Sequence, residues 1–290
     1  MNSGAFLTPY PFNVMFKSLV DHFVSWKEKI GGEKLPPIEI FVRHCNYSAA
    51  SAHKARFAGF SKERCFDNLL ETLEGQTGIN LTLFLDTHYP MEGAHFVHKQ
   101  ERYPVIEIKA GSEAASFLHM LEHVARQKFS PDTIIYFLED DYLHKPEWPG
   151  VLREAFTLSG IHYATLFDHK DKYFFPQYAE LKSKIFHTAT CHWRTTPSTT
   201  NTYVMRFKTL KEHIDLHRIY SLGRTITADH DKFTKLAEEG AVLISSIPGY
   251  STHAEPEFAS PCTDWENFFS QNAFKKNARL AKLDHQETAH

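Results

Sequence analysis

The 290-residue sequence has no two cysteines at metal-binding or redox spacing: Cys45, Cys65, Cys191 and Cys262 lie far apart. A structural zinc site or a disulfide-rich scaffold is therefore unsupported. No uninterrupted apolar run reaches the ~18–20 residues that cross a bilayer. The opening stretch MNSGAFLTPYPF lacks the basic-then-apolar order of a secretory signal. Together these absences lead to the expectation of a cytoplasmic protein. There is no block of Lys or Arg, and a net charge of -3 with a pI near 6.7 supplies no basic field for nucleic acid. The sequons at Asn46 and Asn80 would matter only in a secreted chain. Internal repeats and low-complexity linkers are also missing.

What is present is a globular, enzyme-sized composition, 42% hydrophobic and 23% charged, with 24 Phe and 12 Tyr. Val14 to Ile30 spaces Val14, Phe16, Leu19, Val20, Phe23, Val24, Trp26 and Ile30 for one helix face. Lys17, Asp21, Lys27 and Glu28 interrupt it, and Gly31-Gly32 ends it. From Ile38 strands alternate with helices. Ile38–Val42 is followed by a helix over Ser61–Leu73, and Leu81–Asp86 is a second strand. Val105–Ile108 is a third, a helix follows over Ser112–Lys128, and Thr133–Leu138 runs into Glu139-Asp140-Asp141. This alternation predicts an α/β fold with a mostly parallel, helix-covered sheet. Ligands in such sheets gather at the carboxyl ends of the strands, where Asp86 and the acidic triplet fall. Further strands are expected at Tyr163–Phe167, Thr202–Met205 and Ala241–Ile247, and helices near Leu210–His217 and Asp231–Glu239. The expected organisation is an N-terminal helical extension over 1–37, one domain over 38–255 and a C-terminal helical extension over 256–290.

Three adjacent carboxylates repel one another unless a cation or other positive partner offsets them. Delivered rigidly by the apolar strand IIYFL, Glu139-Asp140-Asp141 suits a hard Mg²⁺ or Mn²⁺ ion. Such an ion takes one or two carboxylates and leaves its other positions to phosphates and water. The alternative is a solvated turn at a helix start.

The segment FLEDDYL resembles the DxD-type motif of nucleotide-sugar glycosyltransferases of the GT-A fold, family 2-like or in the EDD form of the N-acetylglucosaminyltransferase I type. The resemblance implies a Rossmann-like domain, with Asp141 as the ligand of Mn²⁺ or Mg²⁺ under the donor diphosphate. It implies that Glu139 and Asp140 contact the ribose or the donor sugar. It also implies that Phe41-Val42-Arg43, Leu85-Asp86 and Ala110-Gly111-Ser112 cradle the nucleoside, making Arg43, Asp86 and Ser112 donor contacts. For Arg43 and Asp86 the plain alternatives are a surface arginine and a strand-end turn. The segment SKERCFDNLLETL resembles the family's first helix.

Inverting transfer needs a carboxylate that deprotonates the acceptor hydroxyl. The segment ITADHDKFTKLAEEG is similar to the family's xED motif at a helix start, with Ala228 in place of Glu. Asp229 is the expected base and Asp231 the alternative; a capping role for Asp229 does not exclude catalysis. In PGYSTHAE, His253 resembles the C-terminal histidine that completes the metal site. The stretch CHWRTTPSTTNTYVMR falls where the family builds its acceptor loop, so Trp193 is an expected sugar-stacking residue, a core Trp being the alternative. His119 and His123 lie four apart but lack the Glu of a zinc-protease motif, so a solvated face is expected.

From Trp265 to Leu283, Trp265, Phe268, Phe269, Leu280 and Leu283 alternate with Lys275, Lys276, Arg279 and Lys282. Such a helix either packs on the body of the protein or makes peripheral contact with an anionic membrane. The implied partners are a UDP-, GDP- or dTDP-sugar donor and a glycan or lipid-linked acceptor, with no nucleic acid. Two rivals stand beside this reading. A sugar-phosphate nucleotidyltransferase would carry a Gly-rich loop where this chain has His44-Cys45-Asn46. A catalytically inactive carbohydrate-binding protein of the same fold would explain Ala228.

Overall fold

A computed structural model describes residues 35–49 and 51–271. The predicted helix over Val14–Ile30 lies outside the described residues, as does everything after Gln271. From Pro37 onward the described residues belong to one compact unit.

A nine-stranded sheet forms the centre, in the order β3-β2-β1-β4-β9-β6-β10-β8-β7. Its first four strands are β1 (Ile38–Cys45), β2 (Ile79–Asp86), β3 (Val105–Ile108) and β4 (Ile134–Glu139), all parallel. Next come β6 (Tyr163–Thr165), β7 (Ile185–His187), β8 (His192–Thr195), β9 (Tyr203–Arg206) and β10 (Leu243–Ile247). Strand β9 is inserted antiparallel between β4 and β6, and β10 is parallel to β6. The β7–β8 hairpin then closes the far edge antiparallel to β10. Helices connect the strands: α1 (Lys62–Leu73), α2 (Glu113–Ala125), α3 (Trp148–Ala155), the single turn α4 (Asp171–Phe174), α5 (Phe207–Ile219) and α6 (Asp229–Glu238). A separate two-stranded ribbon pairs β5 (Tyr142–His144) with β11 (Ser251–His253).

The predicted α/β architecture with its mostly parallel, helix-flanked sheet is present, and strand periodicity explains its three layers. Side chains alternate faces along a strand. On one face Ile38, Ile40, Val42, Leu83, Tyr136 and Leu138 pack against Phe66 and Leu69 of α1 and Val151 and Leu152 of α3. On the other, Phe41, Phe84, Ile135 and Phe137 meet Phe117, Leu121 and Val124 of α2, together with Phe233 and Leu236 of α6. Strands covered on both faces are largely apolar, which is why β1, β2 and β4 stand out in the sequence.

Caps set the helix starts. Ser61 accepts from the Arg64 N–H at 3.1 Å, and Ser112 accepts from the Ala115 N–H at 3.2 Å. Residues 265–271 are helical, and their Trp265 and Phe269 are buried with Phe57, Cys65, Leu143 and Ala254. Over these residues the C-terminal helix packs on the body of the protein. Among the described residues no helix is long and apolar enough to cross a membrane.

Candidate functional site

Parallel register carries the chemistry to one sheet edge. Arg43 stands opposite Glu139 across β1 and β4, and Cys45 stands opposite Asp86 across β1 and β2. The cleft beyond these strand ends is lined by Arg43, Lys62, Asp86, Ser112, Glu113 and the whole acidic triplet, with Tyr47 and Tyr89 also on its wall. The ribbon adds the last piece. Its antiparallel pairing sets His253 opposite Tyr142, and the Ala254 N–H donates to the Asp141 carbonyl at 2.8 Å. His253 is thereby held against the residue that follows β4 by two.

Each carboxylate of the triplet has a positive partner of its own. Glu139 accepts from Arg43 at 3.2 Å, and the Thr202 hydroxyl accepts from its backbone N–H at 3.3 Å. Asp140 meets the Lys62 ammonium at 2.8 Å and accepts from the Cys45 N–H at 3.3 Å. Asp141 Oδ2 accepts from His253 Nε2 at 2.8 Å and from Arg56 Nη2 at 2.9 Å. These pairings separate the three electrostatically. Burial pushes the Glu139 carboxyl up, with Arg43 opposing and Asp141 adding to the rise. Burial raises Asp140 too, against Lys62. Asp141 moves the other way: although burial opposes it, the His253 imidazolium and the Arg56 guanidinium hold it well below the usual carboxylate range. Against its own burial, His253 is raised to about 9 by Asp141 and Glu255. Opposite charge nearby favours the charged form, so Asp141 and His253 form an ion pair.

Asp229 is the first residue of α6, after Ala228, whose side chain provides no cap. Its Oδ1 accepts from the buried Lys232 ammonium at 2.9 Å, one turn along the same helix face. Lys232 also donates to Asn201 Oδ1 at 2.9 Å, and Asn201 Nδ2 donates to Glu113 Oε1 at 2.8 Å. Glu113 lies 2.9 Å from Arg43. One network therefore runs from Asp229 to the cleft wall. Burial pushes the Asp229 carboxyl up to about 6, with Lys232 opposing and Glu113 adding to the rise. That value suits a group that accepts a proton near neutral pH. Asp231, two residues on, is exposed and belongs to no such network.

Asp141 Oδ2 and His253 Nε2 converge at 2.8 Å, and the second ring nitrogen of His253 lies 3.1 Å from Glu255 Oε2. A carboxylate behind a histidine is the usual support of a metal-bound imidazole. Among the described residues no group of three or more His, Cys, Asp or Glu surrounds one point. Once His253 gives up the Nε2 proton that it donates to Asp141, these residues fit an ion that takes two protein ligands and draws the rest from phosphate oxygens and water.

The other expected donor residues line the cleft in supporting positions. The Asp86 carboxylate accepts from the backbone N–H groups of His88 and Ala110 at 3.0 Å and of Gly111 at 2.8 Å. It fixes the turn that starts α2. Gly111 sits at φ +76, where an added Cβ would meet the His88 ring at 2.9 Å. Ser112 spends its hydroxyl on the α2 cap. Arg43 is no surface arginine: it is 7% exposed, clamped between Glu113 and Glu139. The reading of Trp193 as an acceptor platform is corrected. Its ring is 0% exposed within the core, and strand β8 forms where a loop was expected, so neither ring face is open to a sugar. His119 is exposed, whereas His123 packs edge-on to Phe84 at 5.4 Å.

Several site residues escaped the sequence reading. Arg56 lies in an irregular segment with no periodicity to mark it. Lys62 and Glu113 follow helix caps directly, and their position beside strand ends was the available signal. The Asp229-to-Lys232 spacing of one helical turn was equally legible. The Ser/Thr-rich stretch turns inward: Thr202 braces Glu139, and Thr200 Oγ1 lies 2.7 Å from the Tyr142 hydroxyl.

No protein-family profile matches the chain, and no curated protein sequence matches it. Among solved structures it is similar to S. aureus TarS 1-349, at 14% identity and a TM-score of 0.46. That match covers 76% of this chain and 61% of the TarS chain, so this chain spans less than two thirds of that length. It is also similar to a nucleotidyl transferase from Methanothermobacter thermautotroptrophicus, at 15% identity and a TM-score of 0.39, covering 72% of this chain and 87% of that one.

Proposed function

We propose that this chain is an inverting glycosyltransferase of GT-A type. It moves a sugar from a nucleotide-sugar donor to a hydroxyl of a glycan or lipid-linked acceptor. The observation that carries the reading is the 2.8 Å pairing of Asp141 with His253, residues 112 apart in sequence, beside a cleft at the carboxyl ends of parallel strands. Support also comes from the position of Asp229 at a helix start, tied through Lys232, Asn201 and Glu113 to the cleft wall.

On this reading Asp141 and His253, its Nε2 proton released to solvent, would hold Mn²⁺ or Mg²⁺, whose charge would neutralise the diphosphate leaving group. Glu139 and Asp140, fixed by Arg43 and Lys62, orient the donor. Asp229 takes the proton of the acceptor hydroxyl as its oxygen bonds to the anomeric carbon, and the electrons of the breaking sugar–phosphate bond leave with the diphosphate. The supporting turn at Gly111 and Ser112 keeps the α2 N-terminus at the cleft.

A panel of UDP-, GDP- and dTDP-sugars, screened by thermal shift with and without Mn²⁺, tests the proposal. The expected result is a rise in Tm that needs both metal and one nucleotide sugar, with slow release of the nucleoside diphosphate. Release of a sugar 1-phosphate together with a nucleoside triphosphate, once pyrophosphate is supplied, would favour the nucleotidyltransferase instead. Neither stabilisation nor turnover with any donor would sink the transferase reading.

A further inference from the structure

The place a metal would take beside Asp141 and His253 is also the place of a guanidinium. Arg56 Nη2 donates to Asp141 Oδ2 at 2.9 Å, and Nη1 lies 3.4 Å from His253 Nε2. Its guanidinium carbon lies 4.6 Å from the Phe60 ring centre, and neighbouring Phe57 is buried against Trp265 and Phe269. The Arg56 guanidinium is thus held by the Asp141 carboxylate on one side and by the Phe60 ring on the other. Its segment, between β1 and α1, is irregular and contributes Tyr47, Ser48 and Ser51 to the cleft wall.

A divalent cation on Asp141 and His253 would meet the Arg56 charge at contact distance, and like charges so close repel strongly. A diphosphate arriving at the same point offers what a guanidinium fork fits best, paired anionic oxygens. We propose that Arg56 is a built-in counter-cation to Asp141 whenever no metal is bound there. On donor binding it yields that place and turns onto the diphosphate. This rests on the reading of Asp141 and His253 as the metal and diphosphate site. It predicts opposite signs for two affinities: the arginine competes with the metal alone, and it assists the nucleotide once metal is bound.

The experiment compares wild type, Arg56→Ala and Arg56→Lys. Free Mn²⁺ binding is followed by electron paramagnetic resonance without nucleotide. UDP, GDP and dTDP binding is followed calorimetrically with Mn²⁺ saturating. Arg56→Ala should bind Mn²⁺ alone on the order of tenfold more tightly and the nucleoside diphosphate on the order of tenfold more weakly. Arg56→Lys, which keeps the charge but loses the fork, should fall between on both, and it serves as the folded control should the alanine variant misfold. The proposal is overturned if neither variant tightens Mn²⁺ binding, or if both bind the nucleotide as wild type does. If wild type binds none of the three nucleotides, the nucleotide-sugar reading fails and takes the diphosphate half with it. The Mn²⁺ titration still decides the counter-cation half.

Discussion

Asp229 and Asp231 are two carboxylates on one turn of one helix, and their surroundings give them different chemistry. Asp229 is wedged between Lys232 and the Glu113 network, and burial pushes it up to about 6. Asp231 faces solvent. A carboxyl raised from its ordinary value stabilises the fold least once ionised, so the Asp229 contribution falls as pH rises through about 6. The same ionisation supplies the base. The transfer rate at saturating donor should therefore climb about tenfold per pH unit below that value and level off above it, as a pH–rate profile will record. Asp229→Asn should keep metal-dependent donor stabilisation and lose transfer by roughly 10²–10⁴-fold. Asp231→Asn should stay near wild type in the same assay; a large loss there would move the base to Asp231.

At the scale of elements, strand β8 shows how a local pattern can mislead. The run CHWRTTPSTTN is rich in hydroxyls and reads as a loop, yet His192–Thr195 pair with β10 and turn Trp193 into the core. Its indole N–H donates to the Thr188 hydroxyl at 3.3 Å. Trp193→Ala should cost about 3–5 kcal/mol of stability, read as a lower denaturant midpoint. Acceptor KM at a temperature where the variant is folded should be little changed. A raised acceptor KM with unchanged stability would restore the sugar-stacking role. The β5–β11 ribbon is the opposite case. Three residues a side are too few to stand alone, and the ribbon persists because its own Tyr142 and Leu143 are buried in the body of the protein. It brings the chain back to Asp141.

Across the whole molecule, Arg43 joins parts that the chain keeps far apart. It reaches from β1 to Glu113 on α2 and to Glu139 on β4, and Glu113 continues to Asn201 and Thr227. Sheet edge, inward-turned Ser/Thr stretch and α6 are held in one arrangement by this buried set. Breaking such a set from one side leaves its carboxylates uncompensated. Arg43→Met should cost about 3–5 kcal/mol, measured by chemical denaturation at neutral pH. The loss should shrink at low pH, where Glu113 and Glu139 take up protons; a pH-independent loss would mean that packing, and not charge, is what Arg43 supplies.

The α/β plan is legible in the sequence, because strands covered on both faces are largely apolar and amphipathic helices follow a 3.6-residue period. The sequence also determined that three carboxylates would stand at a strand end, and it picked out Asp229, Asp86, Arg43 and His253 by their order along the chain. Which of them meet is set by the packing of the folded chain. Asp141 and His253 touch because of an antiparallel ribbon whose register no periodicity encodes. Arg56 and Lys62 reach the triplet by lying beside strand ends. Sorting Asp229 from Asp231, and Trp193 from a binding surface, needed burial, which is set by what packs over a residue from distant parts of the chain. The acidic triplet was visible as three like charges; the fold gave each its own counter-charge and so made the three unalike.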